Sequence, residues 1–212
     1  MKGIIFDLDG VLVTTDDCHY RAWKKMADEE GIPFDRQINE RLRGVSRMDS
    51  LEIILEKSAR TYSAEEKEAL AARKNGYYVE LIQLLTPDDL FPGVLPLLNG
   101  LKQKGILLSV GSSSKNTPII LSRLGLESFF DAVADGNSIT HSKPHPEVFL
   151  LAASRLGLAP EECLVVEDAD AGIEAACAGG MKSLGVGPAA KNSRATYQAQ
   201  TVVDADFEQI FS

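Results

Sequence analysis

The sequence predicts an α/β fold with a doubly wound parallel sheet and a helical insert after the first strand. Two observations lead to this prediction. Short apolar runs alternate with helical patterns along most of the chain, which is typical of parallel sheets covered by helices. Residues 14–84 interrupt the alternation, because they hold no strand-like run and repeat apolar residues at helical spacing. We therefore expect a core of residues 1–13 and 85–212 and a four-helix domain of residues 14–84.

The strands are predicted from apolar runs of the length and composition of buried parallel strands. In chain order, they are residues 4–6, 106–110, 132–134, 163–166, 183–186 and 201–203. Between them the core is predicted to form helices over residues 94–104, 116–124, 146–156 and 171–178. Each of these helical patterns stops at a glycine, which suits a helix C-terminus. The insert is predicted to form helices over residues 17–30, 35–42, 48–57 and 64–85.

Composition excludes several classes of protein. The chain has 212 residues, 44% of them hydrophobic, and a net charge of −9 without a dense Lys/Arg run, so a nucleic-acid or membrane partner is not expected. No apolar run approaches the roughly 18 residues that a membrane span needs, and the N-terminus shows no signal peptide. Cys18, Cys163 and Cys177 lack metal-site spacing and fit reduced thiols. We expect a cytoplasmic monomer.

Chemically active side chains follow the predicted strands and precede the predicted helices. They are Asp7 and Asp9 after the first strand, Ser112, Ser113 and Ser114 after the second, Lys143 before a helix, and Glu167 and Asp168 after another strand. Because the carboxyl ends of parallel strands meet at one edge of the sheet, we expect these side chains to lie together.

These residue types suit phosphoryl transfer. Carboxylates from two strand ends form a hard oxygen site for Mg²⁺. A serine hydroxyl, a lysine ammonium and amides at a helix N-terminus can hold phosphate oxygens. The sequence therefore predicts a Mg²⁺-dependent enzyme in which Asp7 accepts a phosphoryl group and Asp9, two residues further on, handles protons.

Each element also has a simpler interpretation. The Asp-Leu-Asp-Gly run of residues 7–10 could be a turn, Ser112–Ser114 and Glu167-Asp168 could be helix starts, and Lys143 could be a surface lysine. Their occurrence in this order, each at a strand end or a helix start, favours the site. A receiver-like signalling module also accepts phosphate on an aspartate, but there the acceptor follows a later strand and no helical domain is inserted.

The motifs resemble those of the haloacid dehalogenase superfamily of phosphotransferases over the whole chain. They are the run of residues 7–12, Ser112, Lys143-Pro144, and Glu167-Asp168 with residues 171–173. The resemblance implies a Rossmann-like core with a small four-helix cap. It assigns the nucleophile to Asp7 and the general acid/base to Asp9. It further assigns Mg²⁺ to Asp7, the Asp9 main-chain carbonyl, Glu167 and Asp168, and the transferring phosphate to Ser112, Ser113 and Lys143.

Within the superfamily, the insert resembles the β-phosphoglucomutase family in residues 15–23, 41–47 and 73–75, and residues 113–116 fit as well. That family interconverts β-D-glucose 1-phosphate and D-glucose 6-phosphate through a phospho-aspartate and β-glucose 1,6-bisphosphate. The alternative is a Mg²⁺-dependent sugar-phosphate or phosphoglycolate-type phosphatase on the same fold. The chain departs from common family residues at Thr14 and Ala169, so the resemblance does not specify the residues that surround the metal ligands.

A mutase must bind a second, distal phosphate. Arg47 is suited to clamp it, and Ser114 and Asn116 could reach it from the core. The resemblance makes Thr15 a hinge residue that can hydrogen-bond Asp9. It also lets His19 tie cap closure to substrate binding.

The resemblance further places Lys74 on the sugar or its phosphate. The simpler interpretations are a surface arginine at a helix start for Arg47, a satisfied polar residue for His19 and no assigned role for Lys74. Trp23 and Met26 are predicted to belong to the cap core, and His141 and His145 receive no role.

Overall fold

The chain forms two units, each with its own core. The structure is a computed structural model, which describes residues 1–42 and 46–211. The α/β unit comprises Met1–Thr14 and Thr86–Ser212, and the helical unit comprises Thr15–Leu85. Arg43, Gly44 and Val45, which belong to the motif of residues 41–47, lie outside the described residues.

The described residues of the α/β unit build a six-stranded sheet in which every neighbouring pair is parallel. Its strands are β1 Gly3–Phe6, β2 Leu107–Gly111, β3 Ala132–Ala134, β4 Cys163–Glu167, β5 Lys182–Gly185 and β6 Tyr197–Gln198. The order is β3-β2-β1-β4-β5-β6, so the direction of winding reverses between β1 and β4. Doubly wound sheets bind ligands beyond the carboxyl ends of the strands at such a reversal. The predicted fold class is confirmed.

Helices account for much of the remaining chain. They are α1 Asp16–Glu29, α2 Arg36–Glu40, α3 Arg47–Leu55, α4 Ala64–Ile82, α5 Val94–Gln103, α6 Thr117–Arg123, α7 Glu147–Leu156, α8 Asp170–Ala178 and α9 Phe207–Phe211. Helix α7 shows how the sequence directs packing, because its buried Val148, Phe149, Ala152 and Ala153 recur at helical spacing and join the core beside the sheet. It ends at Gly157, whose φ of 70° is left-handed.

One strand prediction is wrong. Residues 201–203 were expected to form a strand, whereas Val202–Asp204 is a 3₁₀ helix. The Asp204 carboxylate accepts hydrogen bonds from the Thr201 hydroxyl at 2.6 Å and the Thr201 amide at 3.1 Å, which closes a turn at this point. The sixth strand is instead the two-residue Tyr197–Gln198, paired with β5.

The helical unit holds four helices among its described residues, α1 to α4, around a hydrophobic cluster. Trp23 and Met26 lie in that cluster and are buried, as predicted. Helix α4 begins with a capping box, in which Ser63 accepts from the Glu66 amide and Glu66 accepts from the Ser63 amide. Helices α1 and α4 form the main contact of the unit.

We find no helix among residues 1–42 and 46–211 that is long and apolar enough to cross a membrane.

Candidate active site

The reversal point of the sheet brings the first and fourth strand ends together. Phe6 and Val166 are paired in register, and the Asp7 amide donates to the Val166 carbonyl at 2.9 Å. Asp7 therefore leaves β1 beside Glu167, the last residue of β4, and Asp168 follows directly. Two acidic segments that are about 160 positions apart in the chain meet because the parallel register aligns their strand ends.

Lys143 joins these two strand ends. Its Nζ lies 2.6 Å from Asp7 Oδ1 and 2.7 Å from Glu167 Oε2, and all three side chains are at most 10% exposed. Burial alone would lower the pKa of Lys143, but Asp7 and Glu167 outweigh burial and hold the pKa above its usual value. Lys143 is therefore a fixed ammonium at the carboxylate cluster.

Burial is the main cause that raises the pKa values of two of these carboxylates, and Lys143 offsets only part of its effect. The pKa of Glu167 is raised, first by burial and then by Asp7. The pKa of Asp168 is raised by burial, then by Glu167, Asp7 and Asp9. Oxygen atoms of Asp7, Glu167 and Asp168 lie within 4.8 Å of one another, so they can share one cation. Hard oxygen donors with excess negative charge are the ligand set that Mg²⁺ prefers, so the residues present fit Mg²⁺.

Two glycines leave the space that the carboxylates occupy. A Cβ at Gly10, whose φ is +80°, would lie 2.1 Å from Asp168 Oδ2. A Cβ at Gly172 on α8 would lie 2.1 Å from Glu167 Oε2. The carboxylates of Glu167 and Asp168 can thus take these positions only because both neighbours lack side chains.

The serines after β2 form the loop before α6. Ser112 is buried, and its Oγ accepts from the Ser114 amide at 3.3 Å. The Ser113 Oγ accepts from the Lys143 amide at 3.5 Å, so this loop contacts the segment that carries the lysine. Asn116 is buried at the N-cap position of α6. Helix α6 begins only at Thr117, so the serines lie in a loop rather than in the first turn of a helix.

A turn after β3 supports this serine loop, and the sequence analysis missed it. The Gly136 amide donates to the Ser114 carbonyl at 3.1 Å, and Asn137 Nδ2 donates to the Lys115 carbonyl at 2.9 Å. Asp135 is buried and accepts from the amide and side chain of Asn137. The run Asp135-Gly136-Asn137 directly after an apolar strand was the available signal, since these residue types favour turns.

His141 and His145, to which the sequence analysis assigns no role, both contact Glu147. Glu147 Oε2 lies 3.0 Å from His141 Nδ1, and His145 Nδ1 accepts from the Glu147 amide at 3.3 Å. Glu147 also accepts from the amides of Thr140 and His141 at 2.9 and 2.8 Å. These hydrogen bonds stabilise the loop around Lys143 and account for the clustering of the three side chains.

A second polar cluster lies in the helical unit. Lys74 Nζ is 2.9 Å from His19 Nδ1, and the Thr15 hydroxyl is 3.0 Å from the Tyr78 hydroxyl. The rings of His19 and Tyr78 stack with centroids 4.1 Å apart. Thr15 and His19 lie one turn apart at the start of α1, and Lys74 and Tyr78 lie one turn apart on α4.

This second cluster has the opposite electrostatic character. Burial, and after it Arg47, lower the pKa of Lys74 to about 7, with Cys18 acting in the opposite direction. Burial, Lys74 and Arg47 together hold the pKa of His19 well below its usual value. Burial also lowers the pKa of Arg47, with Tyr78 acting in the opposite direction. Arg47 opens α3, where a cation opposes the helix dipole, so helix stability does not explain its position.

The predicted site residues therefore fall into two groups. One group lies in the α/β unit: Asp7, Asp9, Ser112, Ser113, Ser114, Asn116, Lys143, Glu167 and Asp168. The other lies in the helical unit: Thr15, His19, Arg47 and Lys74. Tyr78, which contacts Thr15, His19 and Lys74, was missed; its spacing of four residues from Lys74 was the available signal.

The fold and the carboxylate–lysine site define a class of enzyme, and comparison with known proteins agrees. Residues 1–180 match the family model of the haloacid dehalogenase-like hydrolases. The chain belongs to this family.

Particular relatives narrow the class. A β-phosphoglucomutase of Bacillus subtilis (strain 168) is 47% identical, over 88% of this chain and 84% of the relative. The crystal structure of a β-phosphoglucomutase from Clostridium difficile superposes with a TM-score of 0.90 at 41% identity, covering 100% of this chain and 96% of the other. A phosphorylated carbohydrates phosphatase of Thermotoga maritima is 31% identical, over 100% of this chain and 97% of the relative. The chain is thus a homologue of β-phosphoglucomutases, which favours the mutase interpretation over the phosphatase.

Proposed function

We propose that this enzyme interconverts β-D-glucose 1-phosphate and D-glucose 6-phosphate through a phospho-Asp7 enzyme and β-glucose 1,6-bisphosphate. The observation that carries the proposal is the presence of two separately built charged clusters. One is a set of carboxylates held by Lys143 in the α/β unit, and the other is the pair of cations Arg47 and Lys74 with the neutral His19 in the helical unit. A phosphatase needs one phosphate site, whereas a mutase handles a bisphosphate and needs two.

In the proposed chemistry, an Asp7 carboxylate oxygen attacks phosphorus and the bond from phosphorus to the sugar oxygen breaks. Asp9 gives a proton to the departing sugar oxygen and takes one from the attacking hydroxyl in the reverse half-reaction. Lys143, Ser112 and Ser113 hold the phosphoryl oxygens in place.

Mg²⁺ would be held by Asp7, the Asp9 main-chain carbonyl, Glu167 and Asp168, and would offset the negative charge of nucleophile and phosphate. We infer that dependence on this metal extends to the present chain. Support comes from the oxygens of Asp7, Glu167 and Asp168, which lie within 4.8 Å of one another, and from the raised pKa values of Glu167 and Asp168, whose charged forms are disfavoured by burial and by neighbouring carboxylates.

The distal phosphate and the sugar are assigned to Arg47, Lys74 and His19, with Ser114 and Asn116 contributing from the α/β unit. Arg47 presents a planar guanidinium suited to two phosphate oxygens at once. We further propose that the α/β unit is the phosphotransferase core and the helical unit its cap, with Thr15 in the hinge. A cap that excludes water would direct phospho-Asp7 to a sugar hydroxyl.

A phosphorus NMR time course tests the function. Enzyme, Mg²⁺ and a trace of β-glucose 1,6-bisphosphate are mixed with β-glucose 1-phosphate, and in a parallel tube with the α anomer. We expect glucose 6-phosphate from the β anomer, with little inorganic phosphate. Rapid release of inorganic phosphate without isomerisation would instead identify the sugar-phosphate phosphatase.

A further inference from the structure

Tyr78 has an environment that ordinary core packing does not require. Its side chain is 1% exposed, yet its hydroxyl lies 3.0 Å from the Thr15 hydroxyl. Its ring stacks on His19 with an interplanar angle of 29°. One aromatic residue thus contacts the first turn of α1 through both its polar and its apolar parts.

The same ring also supports Lys74. The Lys74 Nζ lies 4.8 Å from the centroid of Tyr78 and 4.7 Å from that of Trp23, within the range of cation–π attraction. Lys74 is only 2% exposed, so these rings replace part of the hydration that its ammonium loses. Tyr78 therefore keeps a buried cation where His19 can reach it.

The contact between Lys74 and His19 fixes the position of a proton. Below its pKa of about 7, Lys74 is an ammonium group with donors and no acceptor, so His19 Nδ1, 2.9 Å away, accepts this hydrogen bond. A neutral imidazole whose Nδ1 accepts carries its proton on Nε2. The ring plane is set by the stack on Tyr78, so the direction of the Nε2–H group is set as well.

We propose that Tyr78 is a positioning residue, which holds His19 and Lys74 so that His19 presents Nε2–H to an oxygen of the sugar phosphate. The proposal rests on the proposed function for the identity of that oxygen. It does not rest on that function for the tautomer of His19, which can be measured in the free enzyme.

The test compares three variants. Tyr78→Leu removes ring and hydroxyl, Tyr78→Phe removes the hydroxyl alone, and Tyr77→Phe is the matched control. Tyr77 is the preceding residue on α4, and its hydroxyl donates to Glu29 at 2.8 and 2.9 Å, away from the cluster. Each variant is measured for mutase kcat and KM, for hydrolysis of an aryl phosphate, and by nitrogen-15 NMR of His19.

In Tyr78→Leu we expect mutase kcat/KM to fall roughly 10- to 100-fold, because a misplaced group loses alignment with the substrate. Tyr78→Phe should lose about 2- to 10-fold, the contribution of one hydrogen bond. Aryl phosphate hydrolysis should stay near the wild-type rate in both. At pH 6, where Lys74 is charged, wild-type His19 should show a protonated Nε2, and Tyr78→Leu a mixture of tautomers.

Two results would overturn the proposal. One is a wild-type His19 spectrum at pH 6 with the proton on Nδ1 or with both nitrogens protonated. The other is a Tyr78→Phe variant, folded by circular dichroism, that loses mutase and aryl phosphatase activity to the same extent. If the wild-type enzyme releases phosphate and does not isomerise, the proposed function fails, and the NMR measurement alone then decides the positioning role.

Discussion

The α/β unit and the helical unit contain polar clusters of opposite charge. At the end of β1 and β4, Asp7, Glu167 and Asp168 gather more negative charge than Lys143 offsets, and the pKa values of Glu167 and Asp168 rise. In the helical unit, Arg47 and Lys74 place two positive charges away from water. Burial lowers the pKa of each.

The difference indicates which kind of ligand suits each unit. A cluster in which burial and like charge raise carboxylate pKa values gains most from a bound cation. A cluster of buried cations gains most from a bound anion. The first character suits a metal and a reacting phosphoryl group, and the second suits a phosphate that does not react. Variants that change one unit and spare the other test this division.

The largest expected effect is that of Asp7→Asn, which removes the nucleophilic carboxylate. Both mutase activity and aryl phosphate hydrolysis should fall by at least about 10³-fold, as is usual for loss of a nucleophile. Asp170→Asn, an exposed aspartate at the start of α8, is the matched control and should keep wild-type rates. Phosphoenzyme detected by mass spectrometry at wild-type levels in Asp7→Asn would remove Asp7 from its assigned role.

Arg47→Ala should lower the activity that depends on the helical unit and spare the activity that depends on the α/β unit alone. Losing a charge-assisted contact to the distal phosphate should lower mutase kcat/KM about 100-fold, while aryl phosphate hydrolysis changes little. Arg41→Ala is the control, because Arg41 is an exposed arginine of the same unit that pairs with Glu56 at 2.8 Å. Equal losses of both activities in Arg47→Ala would contradict a distal-phosphate role.

Asp168→Asn should act through the metal. The apparent KM for Mg²⁺ should rise roughly 10- to 100-fold, and high Mg²⁺ should restore part of both activities. Chelation with EDTA should abolish both activities in the wild-type enzyme, with recovery on adding Mg²⁺. An unchanged Mg²⁺ dependence in Asp168→Asn would show that this carboxylate does not bind the metal.

The pH dependence should distinguish the units further. Because Lys74 has a pKa of about 7, its charge is present below this pH and is lost as the pH rises. His19, whose pKa is lowered, stays neutral in the same pH range. Cys18 acts on Lys74 in the opposite direction to burial, because it raises the pKa of the lysine. Mutase kcat/KM, divided by that for aryl phosphate, should fall about tenfold between pH 6.5 and 8.5. A flat ratio would mean that Lys74 does not meet substrate as a cation.

The smallest expected effect concerns stability. The folded protein disfavours a charged Lys74, so Lys74→Met should raise Tm, by roughly 2–4 °C per kcal/mol gained. The gain should be largest below pH 7 and fade as pH rises toward 10.5, where the lysine is neutral in both states. Lys67 lies on the same helix as Lys74, and Lys67→Met, which breaks a 2.7 Å ion pair with Glu52 of α3, should give no such gain. Scanning calorimetry at pH 6 and pH 9 checks both variants.

Much of the fold could be predicted from sequence because its signals are local. The buried runs at β1 and β4 are apolar throughout up to their acidic ends, and the alternation of strands with helices specifies a parallel sheet. The two-residue strand Tyr197–Gln198 could not be predicted, since it is too short for any periodicity. The turn at Thr201 depended on a carboxylate three residues away.

Site residues could be predicted where the chemistry requires a particular residue type. They could not be predicted where packing determines the residue type. Asp7, Lys143 and Asp168 follow from what phosphoryl transfer needs. Tyr78 and Gly172 do not, because an aromatic residue on a cap helix and a glycine in a core helix have many ordinary explanations. Only the contact with His19 and the space taken by Glu167 show what those two residues do.

The polar cluster around Lys74 lies within one continuous stretch of the chain. Thr15, His19, Arg47, Lys74 and Tyr78 all belong to Thr15–Leu85, and their contacts with one another need nothing outside it. The insert could therefore be transferred to another protein as a single segment of sequence. Grafted after the first strand of a family member with another substrate, it would carry Arg47, Lys74, His19 and Tyr78 along together, but not Ser114 and Asn116. We expect such a graft to change how the recipient binds a phosphate that does not react, while its own carboxylate cluster is left in place.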